Sequence, residues 1–206
     1  MKIGVLGTGM VGEAIASKLV ALGHEVMMGS REANNPRAAT WAKRVGTRTS
    51  VGTFADTARF GELLFNCTNG ANSVAAPRAA DEKNLAGKPL IDVANILPPE
   101  ARGTEALGEQ IQKAFPELKV VKALNTVNCD IMVEPSKVSG AHAVFISGND
   151  AATKKKVRGL LETFGWQDII DLGDISSARA TESYMPLWLA LWKSFGTAHF
   201  NIKVVR

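Results

Sequence analysis

Near the start of the chain, Gly7-Thr8-Gly9-Met10-Val11-Gly12 sets three glycines at the spacing GxGxxG. Each glycine answers a different physical demand. Gly7 permits a tight turn, Gly9 lets backbone approach a pyrophosphate, and Gly12 lets a helix pack close to the strand before it. A helix opening at Met10 offers free N–H groups and the positive end of its dipole to phosphate oxygens. The required context is present: a buried strand, IGVL (3–6), precedes the glycines and an amphipathic segment (10–22) follows them.

A second strand, EVMM (25–28), runs into Gly29-Ser30-Arg31. A site for NAD carries Asp or Glu there, on the ribose 2′-OH. This chain offers instead a hydroxyl at Ser30 and a guanidinium at Arg31 able to fork onto phosphate. Thr8 adds a second hydroxyl, and Arg37 is placed to close over the adenine or the phosphate. The expected cofactor is NADP(H). Glu32 is expected beyond the strand and turned outward.

Ligands of such sheets sit outside the carboxyl ends of the strands. Three segments there are rich in small polar residues: CTNGAN (67–72), ANILPP (94–99) and LNTVN (124–128). Cys67, Thr68 and Asn69 are expected along the cofactor, and Asn95, Asn125 and Thr126 near the nicotinamide ring or its ribose. Asn and Gly also make ordinary turns, so that alternative stays open at each position. No catalytic acid or base is legible. His24 reads as structural, His142 as the start of a strand far from the glycine turn, and His199 as a tail residue within reach of a neighbouring subunit. Cys67 reads as a buried, inert thiol. Hydride transfer to a ring acceptor fits such a set, because it needs closeness and alignment more than acid–base chemistry.

The elements that must position these residues alternate. Strands are expected at 3–6, 25–28, 49–52, 62–68, 89–93, 119–124, 142–148 and 168–172. Helices are expected at 10–22, 38–45, 54–60, 72–80, 104–115 and 151–164, with a last helical region over 176–195 bent at Pro186. Repeated strand–helix units imply an α/β, Rossmann-type, doubly wound and mainly parallel sheet. The expected organisation is an NADP-binding Rossmann domain over 1–173 and a small C-terminal helical segment over 174–206. So short a segment encloses no substrate alone. The acceptor is then flat and stacked on the cofactor, or closed in by a second subunit. The apolar stripe Tyr184, Met185, Leu187, Trp188, Leu191, Trp192 and Phe195 supplies that wall, supplies a dimer face, or simply docks on the sheet.

The 206 residues are 46% hydrophobic and 21% charged, an ordinary globular composition. The net charge of +4 is scattered, so nucleic acid is not expected as a partner. Cys67 and Cys129 form no CxxC and no metal spacing. No apolar run approaches the roughly 20 residues that span a bilayer, and no signal-peptide pattern opens the chain. A cytoplasmic homodimer, with no metal and no membrane contact, is the expectation.

The segments IGVLGTGMVGEAIASKL, GHEVMMGSR, GKPLIDVAN, VVKALNTVN, VFISGND and LGDISSARATESYMPLWL occur in order along nearly the whole chain. On these the sequence resembles the F420-dependent NADP oxidoreductase family and the related cytosolic reductase domain of STEAP-type metalloreductases. The resemblance implies a Rossmann domain with a small helical part. It implies NADP held with Thr8, Ser30 and Arg31 at the 2′-phosphate, and a deazaflavin (F420) or flavin as co-substrate. Two other functions stay open: a non-catalytic NADP(H)-binding sensor, and a small imine or carbonyl reductase.

Overall fold

The structure is a computed structural model describing residues 1–101 and 103–206. Eight strands form one sheet: β1 (Lys2–Leu6), β2 (Glu25–Ser30), β3 (Thr49–Thr53), β4 (Leu63–Asn66), β5 (Pro89–Asp92), β6 (Lys119–Ala123), β7 (Ala143–Gly148) and β8 (Asp168–Asp171). Their order is β3-β2-β1-β4-β5-β6-β7-β8. Neighbours run parallel, except β7 against β6, where Lys122 faces Ser147. The chain winds outward from β1 to β3, then crosses back to β4 on the other side of β1. The carboxyl ends of β1 and β4 therefore flank a topological switch point, where open α/β sheets take their ligands.

Helices cover both faces: α1 (Met10–Ala21), α2 (Pro36–Val45), α3 (Phe54–Phe60), α4 (Ala75–Ala79), α5 (Leu107–Ala114), α6 (Cys129–Val133), α7 (Ala151–Phe164), α8 (Ala178–Ser183) and α9 (Met185–Phe195). Strand alternation feeds the two faces separately. Ile3, Val5, Phe65, Ile91 and Val121 point to the side of α1, α2, α6 and α7, where they meet Ile15, Trp41, Ile131 and Leu161. Leu6, Leu64, Leu90 and Val120 point to the side of α3, α4, α5 and α8, where they meet Ala58, Ala76, Ile111 and Ala178. Helix starts follow local chemistry. The Asn35 carbonyl oxygen of the side chain accepts from Arg37 N and Ala38 N ahead of α2, and Thr53 with Asp56 makes a capping box ahead of α3.

The departures from the expected elements have local causes. The helix expected over 72–80 is a 3₁₀ turn at Gly70–Asn72, closed by Asn72 N donating to Asn69 O at 2.8 Å, and then the short α4. The helix expected from 104 begins at Leu107, because carboxylates of other residues take its first amides: Glu109 bonds Ala106 N and Glu182 bonds Leu107 N. Helix α6 lies in a stretch where no element is expected; the Asn128 side chain opens it by accepting from Asp130 N at 2.7 Å. The last helical region is two helices meeting at Tyr184, with Pro186 at the start of α9. Helix α9 does not simply dock on the sheet: Leu187, Trp192 and Phe195 are exposed, and Met185 is its buried residue.

Candidate functional site

The glycine turn is built by contact as well as by conformation. Gly7 adopts φ +118°, a region that favours glycine, and a Cβ on it would meet the Cys67 carbonyl oxygen at 2.8 Å. A Cβ on Gly12 would stand 2.2 Å from the Gly7 carbonyl oxygen, so α1 packs directly against the turn. Gly9 is different: a Cβ there meets nothing within 4 Å. The protein itself makes no demand for glycine at position 9. The open space over it is what a cradle for a bulky anion requires.

Strand β2 extends to Ser30, so Gly29 and Ser30 belong to the strand and Arg31 begins the loop. Gly29 is needed for packing, since a Cβ would meet Thr57 Oγ1 at 2.4 Å. Ser30 is buried. Its hydroxyl donates to the Glu32 carbonyl oxygen at 2.5 Å and accepts from the Glu32 amide at 3.1 Å. The loop after β2 is thereby closed into a tight turn, with the exposed Arg31 at its tip.

A cleft of about 750 Å³ opens at the switch point. Gly7, Thr8, Gly9, Ser30, Arg31, Arg37, Cys67, Thr68 and Asn69 all line it. Glu32 also borders it, lying beyond the end of β2 as expected and exposed. Two guanidinium groups against one carboxylate leave the cleft wall positive. Phe54 and Ala76 supply apolar wall.

The other expected site residues lie outside this lining. Met10 is exposed at the start of α1, Val11 packs against the core, and Gly12 lies beneath the turn. Asn95 and Asn125 hold each other across the ends of β5 and β6: Asn95 Nδ2 donates to Asn125 O at 2.6 Å, and Asn125 Nδ2 donates to Asn95 Oδ1 at 3.1 Å. Leu124, at φ 62°, turns the chain out of β6 just before this pair. Thr126 is buried, and its hydroxyl finds no partner among the described residues.

Behind the cleft lies a buried ionic group that patterning did not single out. Lys122 Nζ lies 2.8 Å from Asp92 Oδ2, 2.8 Å from Glu182 Oε1 and 2.5 Å from the Ala94 carbonyl oxygen. All three N–H donors of the ammonium are therefore used. The side chains of Lys122, Asp92 and Glu182 are each exposed by 1% or less. Burial opposes the charge on Lys122, but the two carboxylates outweigh it and hold the ammonium above its ordinary range. Burial pushes the Asp92 carboxyl up, against the pull of Lys122 and with the help of Glu182. Two carboxylates share one cation, and the amides at the start of α5 share the load: Glu182 also accepts from Leu107 N at 3.0 Å. The sequence signal is a pair of charges, Asp92 and Lys122, set beside apolar residues in their strands.

The remaining candidates have ordinary partners. Burial first, and the Asp92 charge second, push the Cys67 thiol far up, as for an inert cysteine. His24 stands near the N-terminal amine, and His142 bonds the Pro135 carbonyl and Asn201. His199 lies 3.3 Å from Asp130 of its own chain. No group of three or more His, Cys, Asp or Glu suited to a metal ion occurs among the described residues.

Comparison with known proteins bears on this geometry. Residues 2–96 match the family described as NADP oxidoreductase, coenzyme F420-dependent. A crystal structure from Arthrobacter sp. FB24, assigned provisionally as an F420-dependent NADP-reductase, is 47% identical, with 100% of each chain covered and a TM-score of 0.92. Metalloreductase STEAP3 of Rattus norvegicus is 29% identical over 196 residues, 93% of this chain and 38% of its own length. The chain thus spans a little over a third of the curated relatives it matches. A reductive aminase from Aspergillus terreus, in complex with NADPH and ethyl-5-oxohexanoate, shares the fold at 18% identity and a TM-score of 0.68, covering 95% of this chain and 62% of its own.

Proposed function

The chain belongs to the F420-dependent NADP oxidoreductase family, and from that premise we propose that it binds NADP(H) in the switch-point cleft and passes hydride between it and a flat acceptor, coenzyme F420 or a flavin. The observation that carries this reading is the pairing of open space over Gly9 with Arg31 and Arg37 on the same cleft. Free amides of the glycine turn and of α1 suit a diphosphate. Arg31 and Arg37 suit a 2′-phosphate, with Thr8 as a hydroxyl donor. Ser30 joins them by exchanging its present bond to Glu32. Glu32 opposes the phosphate, so the guanidinium of Arg31 carries the selectivity. Cys67, Thr68 and Asn69 form the wall leading toward Asn95, Asn125 and Thr126, the residues assigned to the nicotinamide end.

Bound NADPH supplies the hydride. The chain's own contribution is alignment and exclusion of water. Residues 1–173 form the cofactor part, and residues 174–206 form the acceptor wall or a dimer face. The exposed Leu187, Trp192 and Phe195 support a homodimer. The two unpaired cysteines support a reducing, cytoplasmic setting. No helix among the described residues is long and apolar enough to cross a membrane.

The test is NADPH oxidation, followed by absorbance, against F420, FMN, FAD and ferric chelates in turn. Turnover with F420 or a flavin supports the proposal. Tight NADPH binding with no turnover on any acceptor favours a sensor, and turnover of a small imine or carbonyl favours a reductase of that kind.

A further inference from the structure

We propose that Lys122 is a positioning residue for the cofactor cleft, acting through a buried polar chain that ties the cleft wall to the C-terminal segment. The chain is continuous. Glu182 of α8 holds one N–H of Lys122, Asp92 holds a second, and the carbonyl of Ala94, just past β5, holds the third. The other oxygen of Asp92 accepts from Asn66 Nδ2 at 3.0 Å. The second N–H of that amide goes to the Ser73 carbonyl at 3.0 Å, which fixes the loop after β4. Asn66 Oδ1 accepts from the Thr68 hydroxyl at 2.8 Å, and Thr68 lines the cleft.

An apolar core of equal volume would hold these elements together as well or better, because burying charge is expensive. What an ammonium adds is direction: it fixes three acceptors, two at the end of β5 and one on α8, at hydrogen-bond distance. The segments so tied are the exit of β4, reached through Asp92 and Asn66, the exit of β5, and the end of α8, the last two held directly. The first lines the cleft, the second braces it where Gly70 N donates to Asn95 O at 3.1 Å, and the third lies outside it. Residues 174–206 thereby set the shape of a site they do not line. The inference rests on the reading of the cleft as an NADP(H) site, but its structural half stands without it.

The experiment uses the full chain with Glu182→Gln, since Glu182 is remote from the cleft lining. Leu161→Ala, on the buried face of α7, serves as a matched destabilised control. NADPH Kd, melting temperature and amide hydrogen exchange are measured on each. Glu182→Gln is expected to weaken NADPH at least fivefold and to speed exchange over 67–74 and 93–98. Leu161→Ala is expected to lower the melting temperature with NADPH Kd within twofold. If Glu182→Gln lowers the melting temperature but leaves both Kd and exchange in those two segments unchanged, the inference is overturned. Failure of the unaltered protein to bind NADPH would sink the cofactor reading alone; the exchange data would still decide the positioning role. If Glu182→Gln does not fold, Glu182→Asp, which keeps the charge with a shorter reach, is judged by the same measurements.

Discussion

A Cβ placed on Gly12 would stand 2.2 Å from the carbonyl oxygen of Gly7, whereas one placed on Gly9 would touch nothing. The two glycines of one motif thus answer to different demands: the protein itself needs the first, and the proposed cofactor would need the second.

Gly12→Ala must push α1 off the turn and is expected to destabilise the fold by about 1–3 kcal/mol, as overpacking does. Gly9→Ala is expected to leave stability within about 0.5 kcal/mol of the parent, the scale of an unstrained surface change. It should nonetheless weaken NADPH at least tenfold, by filling the space over the turn. Urea unfolding and NADPH titration check both. A Gly9→Ala protein that binds NADPH normally would remove the pyrophosphate from that position.

Lys122→Met removes the one cation between Asp92 and Glu182. Leaving buried carboxylates unpaired is expected to cost about 3–5 kcal/mol. The midpoint of urea unfolding reads this directly. A loss below about 1 kcal/mol would mean that water or protonation compensates the two acids.

Arg179 forks onto Glu109 at 2.6 and 2.7 Å. Its guanidinium, together with the Ala106 amide, holds the Glu109 carboxyl below its ordinary 4.5. A lowered carboxyl stabilises the folded state above that ordinary value and loses the contribution as pH falls through the folded one. Arg179→Gln should therefore cost up to about 1 kcal/mol at neutral pH, as for a partly exposed pair, and less in acid. Stability measured from pH 7 down to pH 3 (~4 pH units, spanning both states) checks it: parallel curves for parent and variant would contradict the assignment.

Burial pushes the thiol of Cys67 up, and Asp92 adds to it. In the native protein Cys67 should resist iodoacetamide at mildly alkaline pH and react once urea unfolds the chain. Mass spectrometry of the labelled peptide reports both states. Rapid native labelling would show that the end of β4 opens readily.

The fold was legible because its signals are local. Strand–helix alternation and the glycine turn give the parallel sheet, and Gly29-Ser30-Arg31 gives the end of β2. The cleft half formed by Thr8, Arg31, Arg37 and Thr68 was legible for the same reason. What escaped depends on distant partners. Nothing near Glu32 in sequence says that its backbone will close a turn on the Ser30 hydroxyl. Glu182 lies 60 residues beyond Lys122 in the chain, and its carboxylate reads as surface charge until the fold buries it. The short helix α6 hid because Asn128 caps so few residues. The Asn95–Asn125 pair illustrates a further limit. The sequence marks both as turn residues, and only the folded chain shows them spent on each other.

The most direct measurement is the affinity of the Arg31→Ala protein for NADPH and for NADH, each relative to the parent. A charge-assisted bond to phosphate is worth about 1.5–3 kcal/mol, or roughly tenfold to a hundredfold in affinity. The parent should prefer NADPH. The variant should lose NADPH affinity by at least tenfold while its NADH affinity changes less than about twofold, since NADH carries no 2′-phosphate for Arg31 to meet. An equal loss for both cofactors, or none for either, would contradict the assignment of Arg31 to the 2′-phosphate and with it the choice of NADP(H).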